Sequence, residues 1–258
     1  MSLRFEELDF QPTPMGDLTL RRRIEPTLGV DVFEVKLGEE FLMSSLFTVA
    51  EEELATLGLA ALETPQAEGT AAEGTAADGT AADGTAADGT ELDVLVGGLG
   101  LGYTAVAALA DPRVRSVRVI DTLPAVIDWH RRGLLPVSAT LVNDPRTTLV
   151  AGDFFACMRR EPEASARYDA ILLDVDHSPR HQLDPSHADL YTEDGLRALV
   201  RHLTHRGVFA LWSDDPPDEE FVALASVVFD SVVAHVVDFD NPLTSGVSSN
   251  TVYVATQH

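Results

Sequence analysis

Four short stretches, each directly after an apolar run, hold the groups able to do chemistry. The first is Val96-Gly97-Gly98-Leu99-Gly100-Leu101-Gly102, in which Gly98, Gly100 and Gly102 make a G-x-G-x-G loop. Glycines there let the backbone pass close to a ligand where a side chain would collide. The second is Asp121, 19 residues beyond Gly102, where nucleoside-binding α/β folds place an acid that accepts hydrogen bonds from ribose hydroxyls. The third is Gly152-Asp153 and the fourth Asp174-Val175-Asp176-His177. Each has a plainer reading. The loop is also a tight turn, Asp121 an acid favoured by a helix dipole, and Asp153 a helix N-cap. Their recurrence after four consecutive strands favours a nucleoside-type cofactor in one crevice.

The elements that must position these groups alternate. Leu92–Val96, Ser116–Ile120, Thr147–Val150, Tyr168–Leu173 and Val208–Trp212 read as strands. Tyr103–Ala110, a stretch opened by Pro124, one from Phe154, and Thr192–His205 closed by Gly207 read as helices. Phe221–Val237 offers a helix and a strand, and Thr251–Ala255 a final strand. This alternation predicts an α/β domain over 92–258 with a largely parallel sheet. Such sheets bind ligands outside the carboxyl ends of their strands, where all four stretches fall.

Residues 1–63 read differently. Val30–Leu37 alternates Phe33, Val35 and Leu37 on one side of a strand, with Leu18–Arg23 and Phe41–Ser45 as partner strands. Thr48 and Glu51 have capping-box spacing before a helix that runs to about Leu62. Between the two regions, within 64–91, residues 66–90 repeat a five-residue Ala/Gly/Thr unit carrying Glu68, Glu73, Asp78, Asp83 and Asp88. The repeat has no large apolar side chain to offset its ordering entropy, so it reads as a self-repelling spacer.

NAD and S-adenosyl compounds both fit this layout in outline. The third glycine falls at 102 instead of 103, which weakens the dinucleotide reading. The segments DVLVGGLGLG, RSVRVIDTLPAVIDW, DPRTTLVAGDFF, YDAILLDVDHSP and LYTEDGLRALVRHLTHRGVFALWS together resemble the spermidine synthase (aminopropyltransferase) family. The front β-meander and its helix are similar to that family's small N-terminal region. The resemblance implies a Rossmann-like methyltransferase-type sheet and a cofactor that is decarboxylated S-adenosylmethionine or S-adenosylmethionine. It implies that Asp121 holds the ribose, Asp153 contacts the adenine, and Asp174 draws a proton from the attacking amine. It also implies a small-molecule amine or other nucleophile as acceptor, and a homodimer, because members are often dimeric.

The chain departs from the family at the acceptor end. The family's loop usually carries an aspartate where this chain has Gly100, which leaves the form of the cofactor open. His177 replaces the second acid of the family's D-[ST]-x-D motif, and Asp176 and His177 are the expected substrate-facing residues. The family's Tyr and its polar neighbour fall near Thr56 and Leu57. An S-adenosylmethionine-dependent methyltransferase and a non-catalytic nucleoside-binding relative are therefore carried as alternatives. The loop holding His177, His181, Asp184, His187 and Asp189 is read as facing substrate, with no metal site. Trp129 and Trp212 are read as packing residues, with stacking on a ligand as the alternative.

Composition bounds the rest. The chain has 258 residues and a net charge of −24, which argues against nucleic acid or an anionic membrane as partner. Lys36 is the only lysine among 18 basic residues, and most of the acidity lies outside the repeat, which suggests a chain-wide habit. Cys157 is alone, so no intrachain disulfide forms. The N-terminus lacks the pattern of a signal peptide, and no apolar run approaches the about 18 residues of a membrane span, so a cytoplasmic protein is expected.

Overall fold

The computed structural model describes residues 5–62, 91–163 and 167–257; the 66–90 repeat, expected to be a spacer, lies outside them. A first, antiparallel sheet runs in chain order through β1 (Phe5–Thr13), β2 (Gly16–Ile24), β3 (Asp31–Leu37) and β4 (Glu40–Ser44). Three of these strands match the sequence reading and β1 is an addition. Glu6, Glu7 and Pro12 hide its alternation, and its register shifts between Glu7 and Asp9. It is an edge strand, held partly by an ion pair of Glu6 with Arg22 at 2.7 Å.

The helix α1 (Val49–Ala60) follows. The expected capping box does not form: the Thr48 hydroxyl donates to Glu52 at 2.8 Å, and no side chain caps the helix. Glu51 is thereby released from the helix end. The buried face of α1 carries Ala50, Leu54, Ala55, Gly58 and Leu59. It meets the second sheet so closely that a Cβ on Gly58 would stand 2.8 Å from Leu172 Cδ2.

That second part contains β5 (Leu92–Gly97), α2 (Tyr103–Ala110), β6 (Val114–Asp121), α3 (Pro124–Arg131), α4 (Ser138–Asn143) and β7 (Thr147–Ala151). It continues with α5 (Phe154–Arg159), β8 (Tyr168–Leu173), α6 (Glu193–Val200), β9 (Leu203–Ser213) and α7 (Glu219–Ala225). The hairpin β10 (Ser231–Asn241) and β11 (Gly246–Thr256) ends it. The sheet order is β10-β11-β9-β8-β5-β6-β7, with β5 to β9 parallel and β11 antiparallel to β9.

Period-2 alternation splits the core into two layers. Val94, Val96, Val117, Val119, Ala170 and Leu172 face one way and pack with α1, α2, α3 and α4. Leu95, Ile171, Leu173, Phe209 and Leu211 face the other way and pack with α5, α6 and α7. Strands buried on both faces are what an apolar run in a parallel sheet requires. Leu18, Leu20 and Val35 of the first sheet join the first of these layers, so the two sheets share one core.

Two sequence expectations are corrected here. The helix expected over Thr192–His205 ends at Val200, with Thr192 as its N-cap. Leu203 onward belongs to β9, whose pairing with β8 jumps from Tyr168–Leu203 to Ala170–Val208. Gly207 therefore serves this bulge and does not end a helix: a Cβ there would lie 2.8 Å from that of Leu203. The six-residue α4 is too short to show a period in sequence. Among the described residues no helix is long and apolar enough to cross a membrane.

Candidate functional site

The chain leaves β5 for neighbours on both sides, β6 and β8, which opens a crevice at the strands' carboxyl edge. The glycine loop fills its floor. Gly98 has φ +90°, and a Cβ there would stand 2.0 Å from the carbonyl oxygen of Asp174. The Asp174 amide donates to Gly97 O at 2.8 Å, so the β5–β8 pairing runs one residue past the end of β8 and presses Asp174 against the loop. Gly102, with φ +92°, opens α2. Gly100 lies under β4, where a Cβ would be 2.9 Å from Met43 Sδ.

Two side chains brace this loop. Asp121 accepts from the Leu99 amide at 2.9 Å and the Gly100 amide at 3.5 Å through one oxygen. Its other oxygen accepts from the Leu123 amide at 2.7 Å. Burial raises the Asp121 carboxyl, against these hydrogen bonds, which favour its ionised form. From the other side His130 Nε2 lies 3.0 Å from Gly100 O. Burial lowers the His130 imidazole, so a neutral ring donates there. Sequence reasoning passed over His130 because it sits inside a helix with no motif.

Beside the loop is a cavity of about 220 Å³ whose wall includes Gly98, Gly100, Asp121, Asp153, Phe155 and His187. Asp153 caps α5, accepting from the Ala156 amide at 2.9 Å through Oδ1, while it also walls the cavity. Its Oδ2 is 3.8 Å from the Arg159 guanidinium. Asp121 Oδ1, with one donor, and both oxygens of Asp153 keep a lone pair for a ligand's hydroxyl or amine. A cradle that tolerates no Cβ at Gly98, beside two carboxylates, fits an S-adenosyl group.

A second cavity, of about 600 Å³, adjoins the first and includes Glu51, Tyr103, His177, Trp212, Asp214 and Asn250 in its wall. None of its lining residues is Lys or Arg. Asp174 and Val175 line both cavities. The Thr104 hydroxyl donates to Asp174 Oδ2 at 2.8 Å. Burial nevertheless pushes the Asp174 carboxyl up to about 6. Glu51 is pushed up to about 8, first by burial and then by the negative charge of Asp174. The two titrate as a pair.

Glu51 is the functional candidate that sequence reasoning missed. Its signal was present: it stands three and four residues before Leu54 and Ala55, on the buried face of α1. An acid on an apolar stripe needs a reason, and the capping-box spacing supplied the wrong one. His177 lines the second cavity, with Nε2 3.4 Å from Glu40 Oε1. Asp176 does not face substrate. It is fully buried and accepts from Tyr191 Oη at 2.7 Å, His187 Nδ1 at 2.8 Å and the Leu183 amide at 2.8 Å.

The remaining expected residues also find places. His181 Nδ1 pairs with Asp215 Oδ2 at 2.9 Å, and among the described residues no three His, Cys, Asp or Glu gather as a metal site would require. Trp129 is core, its Nε1 donating to Asp9 at 2.6 Å. Trp212 lines the larger cavity. Thr56 bonds back to Glu52 O at 3.0 Å on the exposed side of α1.

Fold and site together define a Rossmann-like architecture: a parallel sheet closed by an antiparallel hairpin, with cavities at its carboxyl edge. Solved spermidine synthases share this fold. A spermidine synthase solved in complex with the transition state analogue AdoDATO superposes with a TM-score of 0.68 at 17% identity, covering 98% of this chain and 74% of that one. Putrescine N-methyltransferase 1 of Nicotiana tabacum is 35% identical over 115 residues, 45% of this chain and 28% of the relative. The polyamine aminopropyltransferase of Sulfolobus acidocaldarius is 31% identical over 124 residues, 48% of this chain and 39% of the relative. The chain thus spans less than half the length of these curated relatives. No protein-family model matches the chain.

Proposed function

We propose that the protein is a spermidine synthase-like transferase that alkylates a small amine from S-adenosylmethionine or its decarboxylated form. The observation that carries this reading is the place of Asp174, where a nucleoside-sized cavity meets a larger one walled by carboxylates and without Lys or Arg. A bound S-adenosyl sulfonium would supply the electrophilic carbon. Gly98, Gly100 and Gly102 would cradle it, with Asp121 on the ribose and Asp153 on the adenine. An alkylammonium cannot attack until it loses a proton, and Asp174 is placed to attract the cation and accept that proton. Asp214 extends the negative wall for the rest of the acceptor, and Glu51, which keeps its proton up to about 8, offers it a hydrogen-bonding carboxyl.

Methyl transfer is the second reading, favoured by Gly100. Where the family resemblance leads one to expect an aspartate, Met43 packs against bare backbone. The likeness to a putrescine N-methyltransferase points the same way. Calorimetry with S-adenosylmethionine and its decarboxylated form, followed by mass spectrometry of a diamine panel, separates the two. Added methyl mass identifies one and added aminopropyl mass the other. The Asp174→Asn variant should lose 100-fold or more in turnover, about 3 kcal/mol or more. Unchanged turnover would remove Asp174 as the base.

A further inference from the structure

The Asp- and His-rich loop after β8 contains a rigid assembly that the proposed chemistry does not use. His187 lies flat on Phe155, with ring centroids 3.7 Å apart and planes 9° from parallel. Its Nδ1 is 2.8 Å from Asp176 Oδ1. Asp176 is itself locked by Tyr191 and the Leu183 amide, out of reach of solvent. Both neighbours fix the imidazole before any ligand arrives. Phe155 and His187 line the smaller cavity together with Asp153.

We propose that His187, held by Asp176, is a second reader of the nucleobase beside Asp153 and selects a base that donates an exocyclic amine. The tautomer follows from the partner. Asp176 receives three donors, so the ring proton sits on Nδ1 and leaves Nε2 as a bare acceptor. Among the described residues nothing bonds to Nε2. Asp153 likewise has an oxygen beyond the one used to cap α5. A wall of two acceptors suits a 6-aminopurine, whose amine donates. A 6-oxopurine would set its carbonyl against them: His187 is mostly buried, Asp153 is exposed until a base covers it, and acceptors left unpaired under a bound base discriminate against it. His187 stands 3.7 Å from Phe155, too close to admit a ring between them, so the base meets the outer face or edge of the pair. Asp176 acts here as a positioning residue.

This inference rests on the S-adenosyl reading, and the test separates the two. Calorimetry would measure binding of S-adenosylhomocysteine and of its 6-oxo analogue, S-inosylhomocysteine, to the wild-type chain and to His187→Phe, His187→Leu and Asp176→Asn. Far-ultraviolet circular dichroism would check that each variant is folded. The wild type should prefer the amino form by at least 10-fold. His187→Phe, which keeps the stack, should weaken the amino form 5- to 20-fold and bring the ratio towards unity. Asp176→Asn should shrink the ratio in the same direction. A ratio unchanged in folded His187→Phe and His187→Leu would overturn the role of His187 while leaving the cofactor reading intact. Failure of the wild type to bind either compound would overturn both.

Discussion

Replacing Thr104 with Val removes one hydroxyl from a buried site and leaves the shape of the side chain. Thr104 is 2% exposed, and its hydroxyl donates to Asp174 at 2.8 Å. A hydrogen bond to an ionised partner is worth ~1.5–3 kcal/mol, and one pKa unit corresponds to ~1.36 kcal/mol. Losing it should raise the Asp174 carboxyl by about one to two units, starting from about 6. The acid limb of the pH profile of kcat/KM for alkyl transfer should move up by that amount, because Asp174 must be ionised to accept the proton. Stability gives an independent readout. Burial already holds Asp174 above its unfolded value of 3.8, so the stability tied to its proton is complete below that value and lost as pH rises through about 6. In Thr104→Val the loss should continue to higher pH. The variant's melting temperature should therefore fall more steeply than the wild type's between about pH 5 and pH 8. A folded variant whose acid limb and melting profile both overlay the wild type would refute the assignment of Asp174 as a buried base tuned by Thr104.

Other perturbations should act on the upper part of the pH profile or through the backbone. Glu51 keeps its proton up to about 8, so Glu51→Gln should leave the acid limb at about 6, and the KM for a cationic acceptor should rise above the wild type's only above about pH 8, where Glu51 would be ionised. Steady-state kinetics across pH checks both. Gly98→Ala should destabilise by more than about 2 kcal/mol and abolish binding of S-adenosylhomocysteine, because a positive φ and a backbone carbonyl oppose the new methyl together. Gly133→Ala is its control: its φ is +70° with nothing within 4 Å of the added Cβ, so urea unfolding should show a loss of only about 1 kcal/mol.

Legibility in the sequence followed the reach of each physical cause. The residues after β5, β6, β7 and β8 could be read because strand ends in a parallel sheet share one edge, whatever the loops do. The two last strands could be read from apolar runs, while their pairing as a hairpin is a tertiary outcome. β1 could not, since its pairing rests on charges such as Glu6 with Arg22 that carry no periodic signal. The end of α6 was hidden because the bulge of β9 is a tertiary event set by its register with β8. At the site, Asp174 was legible by position, whereas Asp176, two residues on, turns inward to partners as distant as Tyr191. Glu51 was masked by a local motif that the fold does not use.

One segment, from Asp174 to His187, contributes to both cavities: Asp174, Val175 and Leu183 border each, and His187 borders the smaller. On the proposed function, a substitution at Asp174, Val175 or Leu183 acts on both ligands at once. The larger cavity's other walls, Glu51 and Phe47 near the start of α1 and Phe239, Asn241 and Ser248 of the closing hairpin, border it alone. On the proposed function, these are the positions at which lineages or engineers can exchange acceptors while the nucleoside grip stays unchanged, and acceptor range should diverge there first.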